Sequence, residues 1–245
     1  MKLDVIFTPA ALASHEVAGR PVFVIDILRT TTVIVAALFR GARAVVPVAT
    51  VEEATRLVQS LGADAVVTVG ERHGEPIEGF NLDNSPVAVT EERVRGKTLV
   101  MTTTNGVPAL LATQGASEVF VVAASNLSVA GERARQLVAE RKDLLILCSG
   151  RDGKFALEDA YAAGRLTTLA LDGKRRRKGL NDAGLVVVDL ARRYGENWER
   201  ALTRSAAGRH LLLSTRGEDL AEATRQDAFP VLPVLRDRRI TVEAV

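Results

Sequence analysis

The stretch TLVMTTTNG, residues 98–106, places an apolar run directly before three threonines, an asparagine and a glycine. Continuous apolar runs of about five residues are typical of strands that are buried on both faces. Hydroxyl side chains followed by Asn-Gly fill a core poorly and are typical of turns. The stretch therefore predicts a buried strand that ends in a polar loop, and the same order recurs along the chain.

Seven such runs lie within the first 148 residues, and segments with helical spacing separate several of them. This alternation predicts right-handed crossovers and an α/β fold, a three-layer α/β/α sandwich with a largely parallel or mixed central sheet. We predict one domain over residues 1–245 with a helix-rich C-terminal third, in which the apolar segments 229–235 and 240–242 add edge strands. The predicted strands are 3–7, 22–28, 44–48, 65–69, 98–101, 119–123 and 144–148.

Local signals predict where two of the helices begin. Thr50 and Glu53 have the spacing of a capping box, and Gly62 is a typical residue at the end of that helix. Ser85 followed by Pro86 predicts a second start, because serine caps free N–H groups and proline suits the first helical position. The second helix is thus expected directly after Ser85, ahead of the strand at 98–101.

The composition limits the classes of function. Lys and Arg number 32 against 30 Asp and Glu, and aromatic residues are 4% of the 245, so we predict no nucleic-acid partner. No apolar stretch approaches the roughly 20 residues of a membrane span, and we predict no membrane partner. The single cysteine, Cys148, excludes an intramolecular disulfide and fits a cytoplasmic location. A homodimer is the base-rate expectation for an enzyme of this size.

Polar residues gather where the predicted strands end. Ligands of open α/β sheets bind beyond the carboxyl ends of the strands. Hydroxyl groups and backbone N–H groups at helix starts bind anions, arginine donates paired hydrogen bonds to them, and carboxylates ligate Mg²⁺. The pattern predicts one shared site for an anionic ligand, and a phosphate suits its chemistry. The five polar segments are 26–32, 70–74, 102–106, 125–126 and 149–154.

Some of these residues have simpler explanations. Arg72 and Arg151 are equally well explained as surface arginines, and Glu158 and Asp159 as acids that stabilise a helix start. Asp26 resists such an explanation, because a carboxylate after four apolar strand residues needs a partner. The basic loop KRRRK at 174–178 is typical of a solvated turn, with anion capture as the alternative.

Known catalytic signatures are incomplete here. The chain has no P-loop, and it has no G-x-G-x-x-G after its first strand, which disfavours a dinucleotide site. The segment after Cys148 is similar to a cysteine-phosphatase loop, but Lys154 stands where that loop requires arginine. Asp26 begins a segment similar to the haloacid-dehalogenase-like D-x-D motif, but Leu28 replaces the second aspartate. Both of these phosphatase classes are therefore disfavoured.

The ordered set of motifs resembles the 2-phosphosulfolactate phosphatase (ComB-like) family over essentially the whole chain. The sequence departs from the family pattern at Asp83, where glycine is preferred, and at Val107-Pro108, where a Thr-Arg pair is common. The motifs are VIDILRTTT at 24–32, GER at 70–72, GF at 79–80, NSP at 84–86, TTTNG at 102–106, CSG at 148–150 and LED at 157–159.

The resemblance implies a Mg²⁺-dependent phosphatase with an α/β/α fold. Its substrate would be (2R)-phospho-3-sulfolactate, as in coenzyme M synthesis, or a similar small anionic phosphate monoester, and its products the 2-hydroxy acid and phosphate. We expect metal-assisted phosphoryl transfer to water, which needs positioning and charge neutralisation from the protein.

The residues of the predicted site have assigned roles. Asp26, Arg29 and Glu71 are the predicted catalytic residues, and Asp26 with Glu158 and Asp159 is the predicted Mg²⁺ site. Whether Asp26 is a metal ligand, a base or a nucleophile is left open by the sequence. The predicted substrate-binding residues are Thr30, Thr31, Arg72, Thr103, Thr104, Asn105, Gly106, Ser149, Gly150 and Arg151.

Two alternatives stay open at this point. One is a phosphotransferase or lyase that acts on a small phosphorylated or sulfonated acid. The other is a non-catalytic anion-binding module, although carboxylates at the same sheet edge would oppose anion binding. The phosphatase hypothesis makes a geometric prediction: the threonine triplets 30–32 and 102–104 face each other across one cavity, with Asp26 close by.

Overall fold

The computed structural model describes residues 1–172 and 178–242, which form ten strands and eleven α-helices. Of the predicted basic loop 174–178, all but Lys178 lies outside the described residues. The strands are β1 Leu3–Ile6, β2 Pro21–Ile25, β3 Ala44–Pro47, β4 Val66–Arg72, β5 Glu75–Pro76, β6 Thr98–Thr102, β7 Glu118–Val122, β8 Leu144–Cys148, β9 Pro233–Arg236 and β10 Arg239–Val242. The helices are α1 Ser14–Val17, α2 Thr30–Phe39, α3 Val51–Leu61, α4 Glu91–Val94, α5 Gly106–Leu111, α6 Leu127–Ala139, α7 Leu157–Ala170, α8 Asp182–Tyr194, α9 Trp198–Arg204, α10 Ala206–Leu213 and α11 Gly217–Ala223.

The ten strands form one mixed sheet in the order β1-β8-β2-β7-β9-β10-β3-β6-β4-β5. The four strands β1, β8, β2 and β7 are mutually parallel, and so are β3, β6 and β4. The antiparallel hairpin β9–β10 joins the two groups. The prediction that the last two strands lie at the edges is therefore wrong. Ile240 pairs with Val45 on one side and Leu235 on the other, which explains why it is fully buried.

Both faces of the sheet are covered, and this is why the strands are apolar without alternation. In β2, Phe23 and Ile25 pack with α6 and α7, whereas Val22 and Val24 pack with α2 and α5. The second face is continuous across the sheet: Val22 pairs with Val119, and the row of paired apolar residues continues through β9 and β10 to β3. The predicted three-layer α/β/α architecture is confirmed.

Helix α2 is enclosed by the curled sheet. All of its residues from Thr30 to Leu38 are buried, as expected for a helix that is covered on every side. Strands β2 and β6 are five places apart in the sheet order, which is roughly 24 Å in a flat sheet. The hydroxyl oxygens of Thr30 and Thr103, which follow these two strands, are nevertheless 3.2 Å apart. The sheet must therefore twist and curl around α2 to bring both strand ends to one place.

Of the two predicted helix starts, the one at Thr50 is confirmed and the one at Ser85 is wrong. Thr50 caps α3 by accepting a hydrogen bond from Glu53 N at 3.1 Å, and Gly62 follows the helix with a φ of 86°. No helix begins at Ser85, although its hydroxyl oxygen accepts from Ala88 N at 3.2 Å as a cap would. The same hydroxyl donates to Asp219 Oδ1 at 2.5 Å in a tertiary contact, and the next helix, α4, begins at Glu91. Among the described residues, no helix is both long and apolar enough to cross a membrane.

Candidate active site

A cavity of about 90 Å³ lies where β2, β4, β6 and β8 end. Helix α10 and the residue just before α11 close its other side, since His210, Leu211 and Arg216 also line it. Nine of the predicted residues line the cavity: Asp26, Arg29, Thr30, Glu71, Asn105, Gly150, Arg151, Glu158 and Asp159. Six others do not line it, namely Thr31, Arg72, Thr103, Thr104, Gly106 and Ser149, and they contact the loops that form its wall.

Asp26 is a buried carboxylate at the end of β2. Burial raises the pKa of its carboxyl to about 7, a hydrogen bond from Thr30 opposes this, and the charges of Glu71 and Glu158 raise the pKa further. Thr31 fixes the backbone of Asp26, because its hydroxyl donates to Asp26 O at 2.8 Å and accepts from Asp26 N at 3.1 Å. The Asp26 carboxylate is thus held rigidly in a site that disfavours its charge, as is expected of a residue that meets a cationic partner.

The threonine triplets meet next to Asp26, which confirms the predicted proximity, but they contact each other directly and do not face each other across the cavity. Thr30 Oγ1 lies within hydrogen-bond distance of Thr103 Oγ1, at 3.2 Å, and Thr103 Oγ1 accepts from Val107 N at 3.0 Å at the start of α5. Gly106 permits this contact: a Cβ at that position would lie 2.4 Å from Asp26 Oδ2 and 2.5 Å from Thr30 Oγ1. The approach of the two loops therefore requires glycine at position 106.

Glu71 lies within β4 and not in a loop after it, because β4 continues to Arg72. Its Oε1 accepts from Thr104 N at 2.6 Å, and its Oε2 accepts from Gly74 N at 2.7 Å and from Thr104 Oγ1 at 3.0 Å. Glu71 therefore ties the turn after β4 to the loop after β6. Because both of its oxygens already have protein donors, its structural contribution is clear, and its catalytic role stays a prediction.

Arg72 follows Glu71 in the strand, so its side chain points from the opposite face of the sheet. Its guanidinium donates to Thr102 Oγ1 at 2.7 Å and to Glu71 O at 2.9 Å. These contacts join β4 to β6 behind the cavity. The structure does not bring Arg72 to the cavity, and its role in substrate binding stays a prediction.

Asp159 joins the loop after β2 to the loop after β8. Its Oδ1 accepts from Ile27 N at 2.9 Å, and its Oδ2 accepts from Ser149 Oγ at 3.0 Å and from Gly150 N at 3.1 Å. Burial raises the pKa of Asp159 well above its usual range, and the charges of Asp26 and Glu158 add to this. With three protein donors on its two oxygens, Asp159 is suited to positioning its neighbours.

Arg29 is the buried cation of the cavity. Its Nη1 donates to Asp219 Oδ2 at 2.5 Å, and Asp219 Oδ1 accepts from the Ser85 hydroxyl at the same distance. Among the residues that the structure describes, no other nitrogen of the Arg29 side chain has a hydrogen-bond partner, so Nε and Nη2 can donate to a ligand. Asp219 thus holds the guanidinium in place while part of its donor fork stays available to an anion.

Comparison with known proteins gives one consistent family. A family model described as 2-phosphosulpholactate phosphatase matches residues 6–238. A protein of Symbiobacterium thermophilum named probable 2-phosphosulfolactate phosphatase is 35% identical over 94% of this chain and 97% of its own length. A protein with the same name from Caldanaerobacter subterraneus is 40% identical over 68% of this chain and 68% of its own length. Another from Clostridium beijerinckii is 32% identical over 99% of this chain and 100% of its own length. This chain belongs to the 2-phosphosulfolactate phosphatase family. The predicted enzyme class, a phosphoric monoester hydrolase, is confirmed.

The carboxylates of this family member fit a magnesium ion without forming a closed cage. Within residues 1–172 and 178–242, no group of three or more His, Cys, Asp or Glu side chains is placed to hold a metal ion. Proteins commonly bind Mg²⁺ through one or two carboxylates, and water and substrate phosphate complete the shell. Asp26 and Glu158 both line the cavity, and burial raises the pKa of each carboxyl. Because a divalent cation would stabilise their ionised forms, this donor pair fits Mg²⁺.

Asp83, where the family resemblance predicts glycine, has a defined place beside the cavity. Its Oδ2 lies 3.6 Å from Arg29 Nη1 and 3.5 Å from Arg216 Nε. Arg216 also donates to Gly74 O at 2.6 Å. The departure therefore adds a carboxylate between two arginines at the cavity wall.

Sequence reasoning missed four residues that build this phosphatase-family site, namely Asn84, His210, Arg216 and Asp219. Asn84 belongs to the NSP motif that carries the resemblance, but it was given no role in the site. The other three lie in the helical C-terminal third, more than 130 residues beyond the turn at Gly74. Nothing in their local sequence distinguishes them from ordinary helix residues.

Proposed function

We propose that this protein hydrolyses a small anionic phosphate monoester, with 2-phosphosulfolactate as the first candidate, to the 2-hydroxy acid and phosphate. The observation that carries the proposal is the cavity of about 90 Å³ in which the buried acid Asp26 and the buried cation Arg29 lie together. Family membership and the names of the relatives support the same activity and substrate.

The cations of the cavity suit a substrate with more than one acidic group. Arg29 would bind the phosphoryl oxygens, because its fixed Nη1 leaves Nε and Nη2 to donate as a pair. Arg151 is less committed, since its Nε lies 3.9 Å from the neighbouring Asp152 carboxylate. It would bind the second acidic group of the substrate from the other side of the cavity. The side chains of Thr30 and Asn105 belong to the remaining polar lining.

The proposal includes Mg²⁺ held by Asp26 and Glu158, with Asp159 joining the loop that carries Asp26 to the start of α7, which carries Glu158. When bound there, Mg²⁺ would neutralise charge on the phosphoryl oxygens and lower the pKa of a coordinated water. The protein itself fixes the carboxylates, presents Arg29 to the phosphate and limits the space for bulk water. These contributions are what phosphoryl transfer requires from an enzyme.

The proposal is tested by measuring phosphate release from 2-phosphosulfolactate and a panel of phosphorylated small acids, with Mg²⁺ and with EDTA. We expect release with Mg²⁺, a loss of at least about 100-fold in Asp26→Asn, and no loss in the exposed control Asp64→Asn. Product formation from the acid without free phosphate would favour the phosphotransferase or lyase alternative. Binding of phosphate without turnover of any ester would favour the anion-binding module.

A further inference from the structure

The side chain of Asn84 is a buried amide of which only one of the two hydrogen-bonding groups has a protein partner. Asn84 is 3% exposed and lines the cavity. Its Nδ2 donates to Thr30 Oγ1 at 3.3 Å, whereas its buried Oδ1 accepts no hydrogen bond from any residue that the structure describes. Buried acceptors without a donor are rare because they lose their hydration without compensation. A donor from a ligand in the cavity would complete this amide.

The orientation of the amide is fixed by Thr30. The Thr30 hydroxyl has one proton, and the Asp26 carboxyl and Thr103 Oγ1 are the two acceptors around it. Its oxygen can then only accept from Asn84, so the amide presents Nδ2 to Thr30 and turns Oδ1 away from it. With the amide reversed, two acceptor oxygens would face each other. The cavity wall therefore carries one fixed acceptor beside the hydroxyl that contacts Asp26.

The chemistry of the reactants limits which donor can meet Oδ1. A fully ionised phosphate ester of a sulfonated or carboxylated acid carries acceptor oxygens and no N–H or O–H group. The attacking water is the reactant that has O–H donors, and phosphoryl-transfer enzymes use amide side chains to orient it. We propose that Asn84 Oδ1 accepts a hydrogen bond from the attacking water and orients it toward phosphorus. This inference rests on the proposed phosphatase function.

In this step the water oxygen forms a bond to phosphorus with one of its lone pairs. The bond from phosphorus to the ester oxygen breaks, and its electron pair stays on the ester oxygen. One water proton ends on that oxygen to give the alcohol, and the other stays with the oxygen that has joined the phosphate. Asn84 gains and loses no proton, so its contribution is to direct the lone pair.

The experiment compares Asn84→Leu and Asn84→Ala with the control Asn81→Ala, which alters the same residue type in the same segment outside the cavity lining. Each variant is assayed for kcat, for KM, for inhibition by inorganic phosphate and for the Mg²⁺ concentration that gives half activation. We expect kcat to fall by about 10- to 100-fold in both Asn84 variants, while the other three constants change by less than about twofold. Unfolding midpoints identify the folded variants, and the smaller alanine side chain gives a second chance of folding.

Other outcomes overturn the inference in distinguishable ways. An unchanged kcat in a folded Asn84 variant would show that the amide does not orient the water. A raised KM or phosphate constant at unchanged kcat would make Asn84 a substrate contact, and a raised Mg²⁺ requirement would make it a metal ligand. A wild-type protein that releases no phosphate from any ester would overturn the proposed function and this inference together.

Discussion

Replacing Asp26 with asparagine should stabilise the metal-free protein, and the gain should grow as the pH rises. The pKa of Asp26 is about 7 in the folded protein, against 3.8 for an ordinary aspartate. Between these values the folded protein holds a proton that the unfolded chain has released. The folded state thus binds more protons, so the free energy of unfolding falls as the pH rises through this window.

The magnitude follows from the width of the window. A difference of about 3 pKa units corresponds to about 4 kcal/mol once both states are ionised. At pH 5 the wild type has lost about 1.7 kcal/mol of its free energy of unfolding through Asp26, and at pH 8 it has lost nearly all of the ~4 kcal/mol. The free energy of unfolding of Asp26→Asn relative to wild type should therefore increase by about 3 kcal/mol between these pH values. For a chain of this size that difference is roughly 6–12 °C in Tm. The loss of Asp26 hydrogen bonds adds an offset that does not depend on pH.

The assay is urea unfolding at pH 5 and pH 8 in EDTA, with wild type, Asp26→Asn and the exposed control Asp64→Asn. The control should show the same difference from wild type at both pH values. Added Mg²⁺ should narrow the gap at pH 8, because a ligand of the folded state stabilises it in proportion to its binding. A gap between Asp26→Asn and wild type that is equal at pH 5 and pH 8 would refute the argument, since Asp26 would then titrate normally.

Three further changes test other parts of the structure. Gly106→Ala should reduce phosphatase activity by at least about tenfold and lower the free energy of unfolding by about 1–3 kcal/mol, because the new Cβ would lie 2.4 Å from Asp26 Oδ2. Phosphate-release assays measure the first effect and urea unfolding the second. Asp219→Asn should raise KM more than it lowers kcat, because Arg29 loses a charged partner while the side-chain shape is kept; steady-state kinetics would contradict this if kcat alone changed. Ile240→Ala should cost about 2–5 kcal/mol in urea unfolding, because β10 lies in the centre of the sheet, and a cost below about 1 kcal/mol would contradict that placement.

The structure also shows which features local sequence patterns could not resolve. Ser85-Pro86 is a sound helix-start signal, and Ser85 Oγ accepts from Ala88 N at 3.2 Å, but no helix follows and the hydroxyl proton goes to Asp219, 134 residues away. The short apolar segments near the C-terminus were expected at the sheet edges, because strand order is set by pairing between distant residues. The β10 pairing with β3 joins Ile240 to Val45, and no local pattern records such a partner.

The sequence by itself determined the main strands and the end of the sheet at which polar side chains gather. Apolar runs mark strands that are covered on both faces, and polar residues directly after them mark where a ligand can meet the sheet. These local rules were sufficient to place Asp26, Arg29 and the threonines of residues 102–104 near one site. They depend on the hydrophobic effect and on turn geometry, which act over a few residues.

Only the tertiary structure decided which side chains meet in the cavity and what each one contacts. Asp219 lies 190 residues from Arg29 and fixes its guanidinium, whereas the twist of β4 and its alternation turn Arg72 away from the cavity that its neighbour Glu71 lines. Both outcomes depend on how the sheet curls around α2 and on where the C-terminal helices dock. These are properties of the packed chain, because contacts between distant residues form only when the whole core is buried.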